Sequence, residues 1–344
     1  MNISGRRKTY AGLLLIFLLG RTASFATSSG SASAAAPERA DTAYVVAPYL
    51  NHEYGFKTVG TYLERVSNAP KNREHGTWGL ISGSHNSDTE DTAHHASNIW
   101  FAQIGNDFYA HTAPDGSSQR EGMIITLGNQ TIDTKDNSLR LIGQALSTGN
   151  SSTSAFGLGG YYTTTAVGGG YLNATGQYTY YRDDFSSPLK TEQTGYGITL
   201  STEAGQPFKL NANWTIEQQG QVIFQHLHLN PFNTLNTSVS NVDENSEQVR
   251  VGLRLAHQPE QQSSRITTFL HFDAINNLGD QSEIKVGNFE IEPALTRSWW
   301  QAGAGFAAAL SKRVAFYSDL TYLRGFDTQT HGIQGQMGLD ISFK

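Results

Sequence analysis

The chain contains no cysteine. That excludes a disulfide framework and any chemistry that needs a thiolate. Basic residues are in the minority, 24 Lys and Arg against 30 Asp and Glu, for a formal charge of −6. No positive surplus is available to hold a nucleic-acid backbone. Charged residues of both signs make up only 16% of the 344 positions. No stretch approaches the ~20 consecutive apolar residues of a membrane-crossing helix, so a helical membrane protein is excluded.

What is present leans towards β-structure. Glycine (35), Phe (17) and Tyr (15) are plentiful, and aromatic, charge-poor chains favour strands. The N-terminus reads as a secretory signal peptide over residues 1–26. Arg6, Arg7 and Lys8 precede an apolar run at 11–20, and Ser24 and Ala26 are small residues spaced for signal peptidase. An N-terminal membrane anchor is the alternative, but the run is too short for a stable span. Removing 1–26 takes away Arg6, Arg7, Lys8 and Arg21 and no acid, moving the formal charge from −6 to −10. Residues 27–55 form a short leader before the main body. Its Ser/Ala/Gly-rich part, to about residue 37, is expected to be flexible, and 38–54 is expected to be extended.

One helical pattern follows. Phe56, Val59, Leu63 and Val66 recur at three- and four-residue spacing, with Lys57, Thr58, Thr61, Glu64 and Arg65 between them. The predicted helix spans 56–68. So short a helix is unstable alone in water, so something must surround it. A polar break containing Pro70 ends it.

From residue 76 to the end, alternating segments predict strands at 78–84, 98–109, 122–132, 156–165, 170–181, 194–203, 214–229, 247–256, 265–274, 298–310, 314–323 and 331–343. Gly168, Gly169 and Gly170 mark a hairpin turn. The set is even-numbered, about twelve, and no helix-period segment interrupts it. Each strand divides its residues between two faces. Val249, Val251, Leu253 and Leu255 oppose Arg250 and Arg254. Glu217, Gln219, Gln221 and Gln225 oppose Val222 and Phe224. Phe316, Leu320 and Tyr322 oppose Tyr317, Asp319 and Thr321. In the last strand Met337, Leu339, Ile341 and Phe343 oppose Gln336, Gly338, Asp340 and Ser342. A soluble secreted sandwich would bury the apolar face, whereas a membrane barrel turns it to lipid and the polar face to a wet lumen. The pattern alone does not choose. The signal peptide, strands of about ten residues, aromatic pairs near strand ends (Tyr161-Tyr162, Tyr180-Tyr181, Trp299-Trp300) and the C-terminal aromatic strand favour the barrel.

With these segments in place, the chain resembles the translocator (β-barrel) domain of autotransporters, the pertactin-like monomeric type of type V secretion. The resemblance runs from about residue 54 to 343. It rests on Gly60-Thr-Tyr-Leu-Glu-Arg-Val66, on the segments 76–83, 101–107, 170–178, 219–225 and 251–255, and on Gly338-Leu-Asp-Ile-Ser-Phe343. It implies an all-β fold, a 12-stranded antiparallel transmembrane barrel over 76–344 with the short helix inside the pore. Pore-helix residues would be Phe56, Val59, Tyr62, Leu63, Glu64 and Arg65. Lumen-facing residues would be Glu217, Gln221, Arg250, Arg254, Asp319 and Asp340, with Glu64 and Arg65 meeting some of them. Gly338, Ile341 and Phe343 would carry the assembly signal.

The implied partners are outer-membrane lipid, periplasmic chaperones and the barrel-assembly machinery, for a monomer without cofactor or metal in the bacterial outer membrane. The implied function is a pore through which an N-terminal segment reaches the cell surface, and not an enzyme. Three departures stand out. Members of the family carry a large passenger, where here only residues 27–55 intervene and little or no passenger is expected. Some relatives cleave themselves beside a paired Asn-Asn on the helix; none lies near 56–66, so self-cleavage is not expected. Lys344 follows the terminal aromatic. The alternative is a stand-alone surface protein or porin-like barrel whose loops 84–96, 133–153 and 229–244 bind a ligand or host.

Other patterns carry less. His94-His95 in a polar loop lacks a third ligand at metal spacing. His226 and His228 share a strand face, a two-ligand geometry more in keeping with a strand end near the interface. Residues 303–308 outline a dinucleotide fingerprint but lack the following helix, so they read as small-residue packing on a wall. Asp183-Asp184, His111 and Asp115 offer acid/base groups that nothing aligns.

Overall fold

The computed structural model describes residues 41–66, 75–90, 93–136, 146–186, 190–234, 238–258, 266–278, 284–286, 289–291, 296–326 and 329–343. The expected signal peptide, the first part of the leader and Lys344 lie outside them.

Two helices come first, α1 (Asp41–Val59) and α2 (Tyr62–Val66). The strands are β1 (His75–Glu90), β2 (Ala93–Thr112), β3 (Ser118–Asp136), β4 (Leu146–Thr165), β5 (Tyr171–Ser186), β6 (Thr191–Lys209), β7 (Trp214–Leu229), β8 (Phe232–Asn233), β9 (Ser238–Val239), β10 (Val242–His257), β11 (Ile266–Leu278), β12 (Ile284–Val286), β13 (Phe289–Ile291), β14 (Ser298–Ala309), β15 (Val314–Gly325) and β16 (His331–Phe343). Twelve of them close into an antiparallel barrel in the order β1-β16-β15-β14-β11-β10-β7-β6-β5-β4-β3-β2. The remaining four, β8, β9, β12 and β13, make a small separate sheet. Closure leaves the barrel itself without an open edge for another chain to pair with. The sandwich reading is thereby overturned.

The seam is β1 against β16, with Trp78 opposite Asp340 and Gly83 opposite Gly335. Along β16 the burial alternates: Met337, Leu339, Ile341 and Phe343 face outwards, while Asp340 and Ser342 are buried. The same alternation runs round the wall. Ile104, Leu127, Leu158, Leu200, Leu253 and Leu320 are exposed apolar residues on the outside. Such a band suits lipid and would be unsustainable in water at this extent.

The connections differ at the two ends. Tight turns at 113–117, 166–170, 210–213 and 310–313 lie at the end where His75 meets Phe343. Gly169 takes the positive φ of 84° that the 166–170 turn requires. The connections carrying β8–β9 and β12–β13 lie at the opposite end. In outer-membrane barrels the short turns face the periplasm and the long loops the exterior. The two ends are called inner and outer on that basis.

Three expectations need correction. First, residues 41–55 are helical, not extended, and α1 starts at Asp41 rather than at Phe56. A helix buried along most of its surface shows only a narrow polar stripe, so the periodic signal is weak there. Pro48 within it adds a misleading break signal. The expected continuous face through Val66 is also interrupted, because Gly60 (φ 50°) separates α1 from α2. Second, the strands are longer than about ten residues, reaching 20 in β2 and β4. The expected loop 84–96 is mostly ladder, with Asp88 opposite His95. Once the wall rises above lipid, both strand faces turn polar and the alternation disappears, yet the backbone still requires pairing. Third, the aromatic pairs split by strand parity. Tyr162 and Tyr180 are exposed, whereas Tyr181 is fully buried and Tyr161 turns inwards to Asp107.

Candidate functional site in the barrel lumen

The lumen is occupied by α1, which at ~1.5 Å per residue is about 28 Å long. That matches the roughly 30 Å hydrocarbon core of a bilayer. Polar side chains from the wall hold it in three tiers.

At the outer tier Tyr44 meets Phe185 and Phe232 edge-on, with ring centroids 4.8 and 5.1 Å apart. One turn and more below, Asn51 is fully buried. It donates from Nδ2 to Asp183 (3.1 Å) and accepts at Oδ1 from Gln130 (2.6 Å). Its carbonyl accepts from Tyr181 Oη at 3.0 Å and Gln225 Nε2 at 3.3 Å. Gln225 reaches it across Gly55, where any Cβ would collide with the Gln225 amide. In the middle tier the Thr58 carbonyl accepts from Gln103 (2.7 Å), and Thr58 Oγ1 accepts from Gln177 (2.9 Å). Lys57 donates to Gln334 (3.1 Å) and pairs with Glu53 at 3.6 Å.

The inner tier surrounds the junction of the two helices. Gly60 caps α1 in the left-handed region and its carbonyl accepts from Gln221 at 2.8 Å. Thr61 and Glu64 then form a reciprocal capping box: Thr61 N donates to Glu64 Oε2 at 2.9 Å, and Glu64 N to Thr61 Oγ1 at 3.4 Å. Tyr62 N donates to Glu203 (2.8 Å), and the Tyr62 ring packs on Tyr171, 4.3 Å between centroids. Arg65 donates to Thr175 (2.9 Å) and lies over the Tyr161 ring.

Arg250 is the hub of this tier. It contacts Gln221 (2.9 Å), Gln219 (3.1 Å), Asp273 (2.7 Å) and Glu203 (3.3 Å). Asp273 also accepts from Gln301 and lies 2.9 Å from His271 Nδ1. On its other side His271 Nε2 approaches Asp319 at 3.3 Å, and Asp319 accepts from Thr321 (2.6 Å). A buried cation is thus ringed by carboxylates and amides, the arrangement a buried charge requires.

The residues expected at the site lie as follows. Phe56 and Val59 pack on Ile223; Tyr62, Glu64 and Arg65 lie at the helix junction, and Leu63 borders the cavity beside α1. Glu217, Gln221, Arg250, Asp319 and Asp340 are buried on the inner face. Arg254 is half-buried, its guanidinium 4.1 Å from the Phe269 ring centroid. Glu64 is within electrostatic reach of Arg250, whereas the partners of Arg65, Thr175 and Tyr161, were not in the expected set. Sequence reasoning missed Asn51, Glu203, His271 and Asp273, and it named Thr58 and Asp183 without the contacts they make with the wall and with α1. Strand parity would have found Glu203, which shares a face with Thr199 and Ser201 opposite Ile198 and Leu200. Nothing in the sequence points to Asn51.

The other singled-out groups fall elsewhere. His226 and His228 are on the outer face, 3.6 and 3.4 Å from Asp243. Residues 303–308 are in β14, where Gly303 leaves room for the His271 ring. Asp183 points inwards and Asp184 outwards. Asp115 lies in an inner turn, where the Ser117 N–H and hydroxyl hold its carboxyl below the usual range. Among the described residues no three His, Asp or Glu gather to hold a metal.

A family model described as autotransporter beta-domain matches residues 77–321. The pertactin autotransporter of Bordetella parapertussis is 23% identical over 186 residues, 52% of this chain and 20% of its own length. The chain therefore spans only a part of that relative. Among solved structures, the transport unit of the autotransporter AIDA-I from Escherichia coli superposes with TM-score 0.68 at 16% identity, covering 85% of this chain and 98% of that one. The translocator domain of NalP from Neisseria meningitidis gives TM-score 0.63 at 14% identity, covering 90% and 100%. The beta domain of Bordetella BrkA gives 0.61 at 17%, covering 78% and 100%.

Proposed function

Because the chain belongs to the autotransporter beta-domain family, we propose that it carries an N-terminal segment outwards through its lumen and then keeps α1 as a plug. Transport, rather than catalysis, is the work of this family, and its β-barrel fold belongs in the bacterial outer membrane. The observation that carries the reading is the direction of α1. Tyr44 packs among outer-end residues, and Arg65 bonds near the inner end. Chain preceding Asp41 would then leave by the outer mouth. The three tiers of wall contacts explain why the helix would stay once passage ends.

In this scheme residues 1–26 act as a Sec signal peptide, and 27–40 form the part of the leader that passes out. Periplasmic chaperones deliver the chain as a monomer, and the barrel-assembly machinery reads β16, with Gly338, Ile341 and Phe343 as the signal. The absence of cysteine makes the test simple. Ser33→Cys is expected to react with a membrane-impermeant maleimide on intact cells. Lys312→Cys, in an inner turn, is expected to react only after lysis. Labelling of Ser33→Cys only after lysis would overturn the outward passage.

A further inference from the structure

The outside of the barrel is not uniform where the lipid-facing band gives way to polar residues at its outer end. On β5, β6, β7 and β10 outward basic side chains lie against acids. Arg182 is 2.8 Å from Glu192, and His226 and His228 are 3.6 and 3.4 Å from Asp243. The wall around the closing seam differs. On β15 Arg324 is exposed and pairs with no acid among the described residues. It stands across the ladder from Trp300 on one side and His331 on the other, at the ~5 Å of cross-strand neighbours. His331 is exposed, with Nδ1 3.2 Å from the Gln329 carbonyl. On β1, His85 lies two residues from Ser87, which faces His331, and its Nδ1 is 2.8 Å from the Asn98 side-chain oxygen. A ring that donates from Nδ1 to a carbonyl oxygen presents Nε2 as an acceptor.

Below this polar row the wall is aromatic on one flank and recessed at the seam. Trp300 stacks on Phe272 and meets Tyr322 edge-on, with centroids 6.0 and 5.9 Å apart. Gly83 and Gly335 face each other across the seam at outward positions. Leu320 and Trp100 flank them in the same row. A Cβ added at Gly83 would meet nothing within 4 Å, and one at Gly335 only Leu320 Cδ1 at 3.9 Å. Two large apolar side chains thus border a notch with a glycine floor, three strand spacings or about 14 Å across.

We propose that this wall binds one phosphorylated glycolipid of the outer leaflet. Its phosphate meets Arg324, its sugar hydroxyls donate to Nε2 of His331 and His85, and an acyl chain lies in the notch. An unpaired guanidinium offers the planar fork of donors that suits a phosphate. The imidazole acceptors call for a ligand with hydroxyl groups beside that phosphate. The aromatic cluster belongs at the level where acyl chains meet head groups, so polar and apolar parts of one lipid fall on matching parts of the wall. The site uses only the outer surface and does not depend on passage of the leader.

The test uses the protein purified in detergent, with diphosphoryl lipid A as probe and native mass spectrometry to follow its retention. One bound lipid is expected. Arg324→Gln, His331→Phe and Gly83→Phe should each weaken retention severalfold, whereas Arg182→Gln on the far wall should leave it unchanged. Heat-modifiable migration controls for folding. Dephosphorylated lipid A, and phosphatidic acid, which has the phosphate without the sugar, should each bind severalfold more weakly. Retention unchanged in Arg324→Gln, or lowered equally in Arg182→Gln, would overturn the site. Either reference lipid bound as well as lipid A would overturn the glycolipid assignment. Maleimide labelling of Ser33→Cys reports on passage alone, so failure of lipid binding and failure of the export reading are distinguishable.

Discussion

Replacing Arg250 by Met is the perturbation that most directly probes the inner tier. The guanidinium is 2.7 Å from Asp273 and 3.3 Å from Glu203, both nearly inaccessible. At an effective dielectric of ~20, one unit-charge pair at that separation is worth on the order of 6 kcal/mol before desolvation. Desolvation of three groups consumes much of this. The net cost of breaking such a pair by removing one partner is nonetheless about 3–5 kcal/mol, because the other charge stays buried and uncompensated. That corresponds to a roughly 10²- to 10⁴-fold shift in the folding equilibrium. The same reasoning makes a second prediction that a mere loss of packing would not. In the triple variant Arg250→Met, Glu203→Gln, Asp273→Asn the two carboxylates in direct contact with Arg250 are neutral as well, so it should lie closer to the parent than the single variant does. Denaturant-induced unfolding in detergent, followed by the gel shift between folded and unfolded barrel, measures both. A single variant as stable as the parent, or a triple variant no better than the single, would refute the charge-compensation account.

Four further substitutions test the helix junction and the seam. Gly60→Val places a branched side chain at φ 50° and against the Glu64 carboxylate 2.6 Å from the added Cβ. It should cost about 1–2 kcal/mol or more. Gly83→Ala, where nothing lies within 4 Å, should change stability by less than about 0.5 kcal/mol; a silent Gly60→Val would argue against the capped junction. At the seam, Ile341→Asp puts a charge on the lipid face of the closing strand, and Phe343→Ala removes its terminal aromatic. Both should abolish recovery in the outer-membrane fraction, and normal insertion of both would show that β16 is not the assembly signal.

The barrel was legible because a wall between lipid and water imposes a period of two on every strand that crosses it. All twelve barrel strands contain a segment expected from alternation alone. The rule fails where its cause stops. Above the lipid both faces of β1 and β2 meet water or polar neighbours, so 84–96 looks like loop while its backbone remains in the ladder. The small sheet of β8, β9, β12 and β13 has strands of only two or three residues, too short for any period to appear.

The helix is the opposite case, and it explains why the site was harder to read than the fold. An amphipathic stripe records one apolar and one wet side, whereas α1 mixes polar with apolar residues on its buried side and borders the cavity with only the narrow row Tyr49, Glu53 and Lys57. Tyr54 and Asn51 are both fully buried on it, the first against Phe101 and Tyr181 and the second in a cage of amides and a carboxylate. Only 56–66 kept a helical period. Its Glu64 and Arg65 were found for that reason, while Asn51, which precedes it, was not. The wall residues that hold α1 were half-visible, since parity separates inward from outward positions but says nothing about which inward residue reaches the helix. Gln103, Gln177 and Gln221 share their inward orientation with many neighbours. What distinguishes them is the height at which closure sets them beside a carbonyl or hydroxyl of α1, and that height depends on the register of the whole barrel.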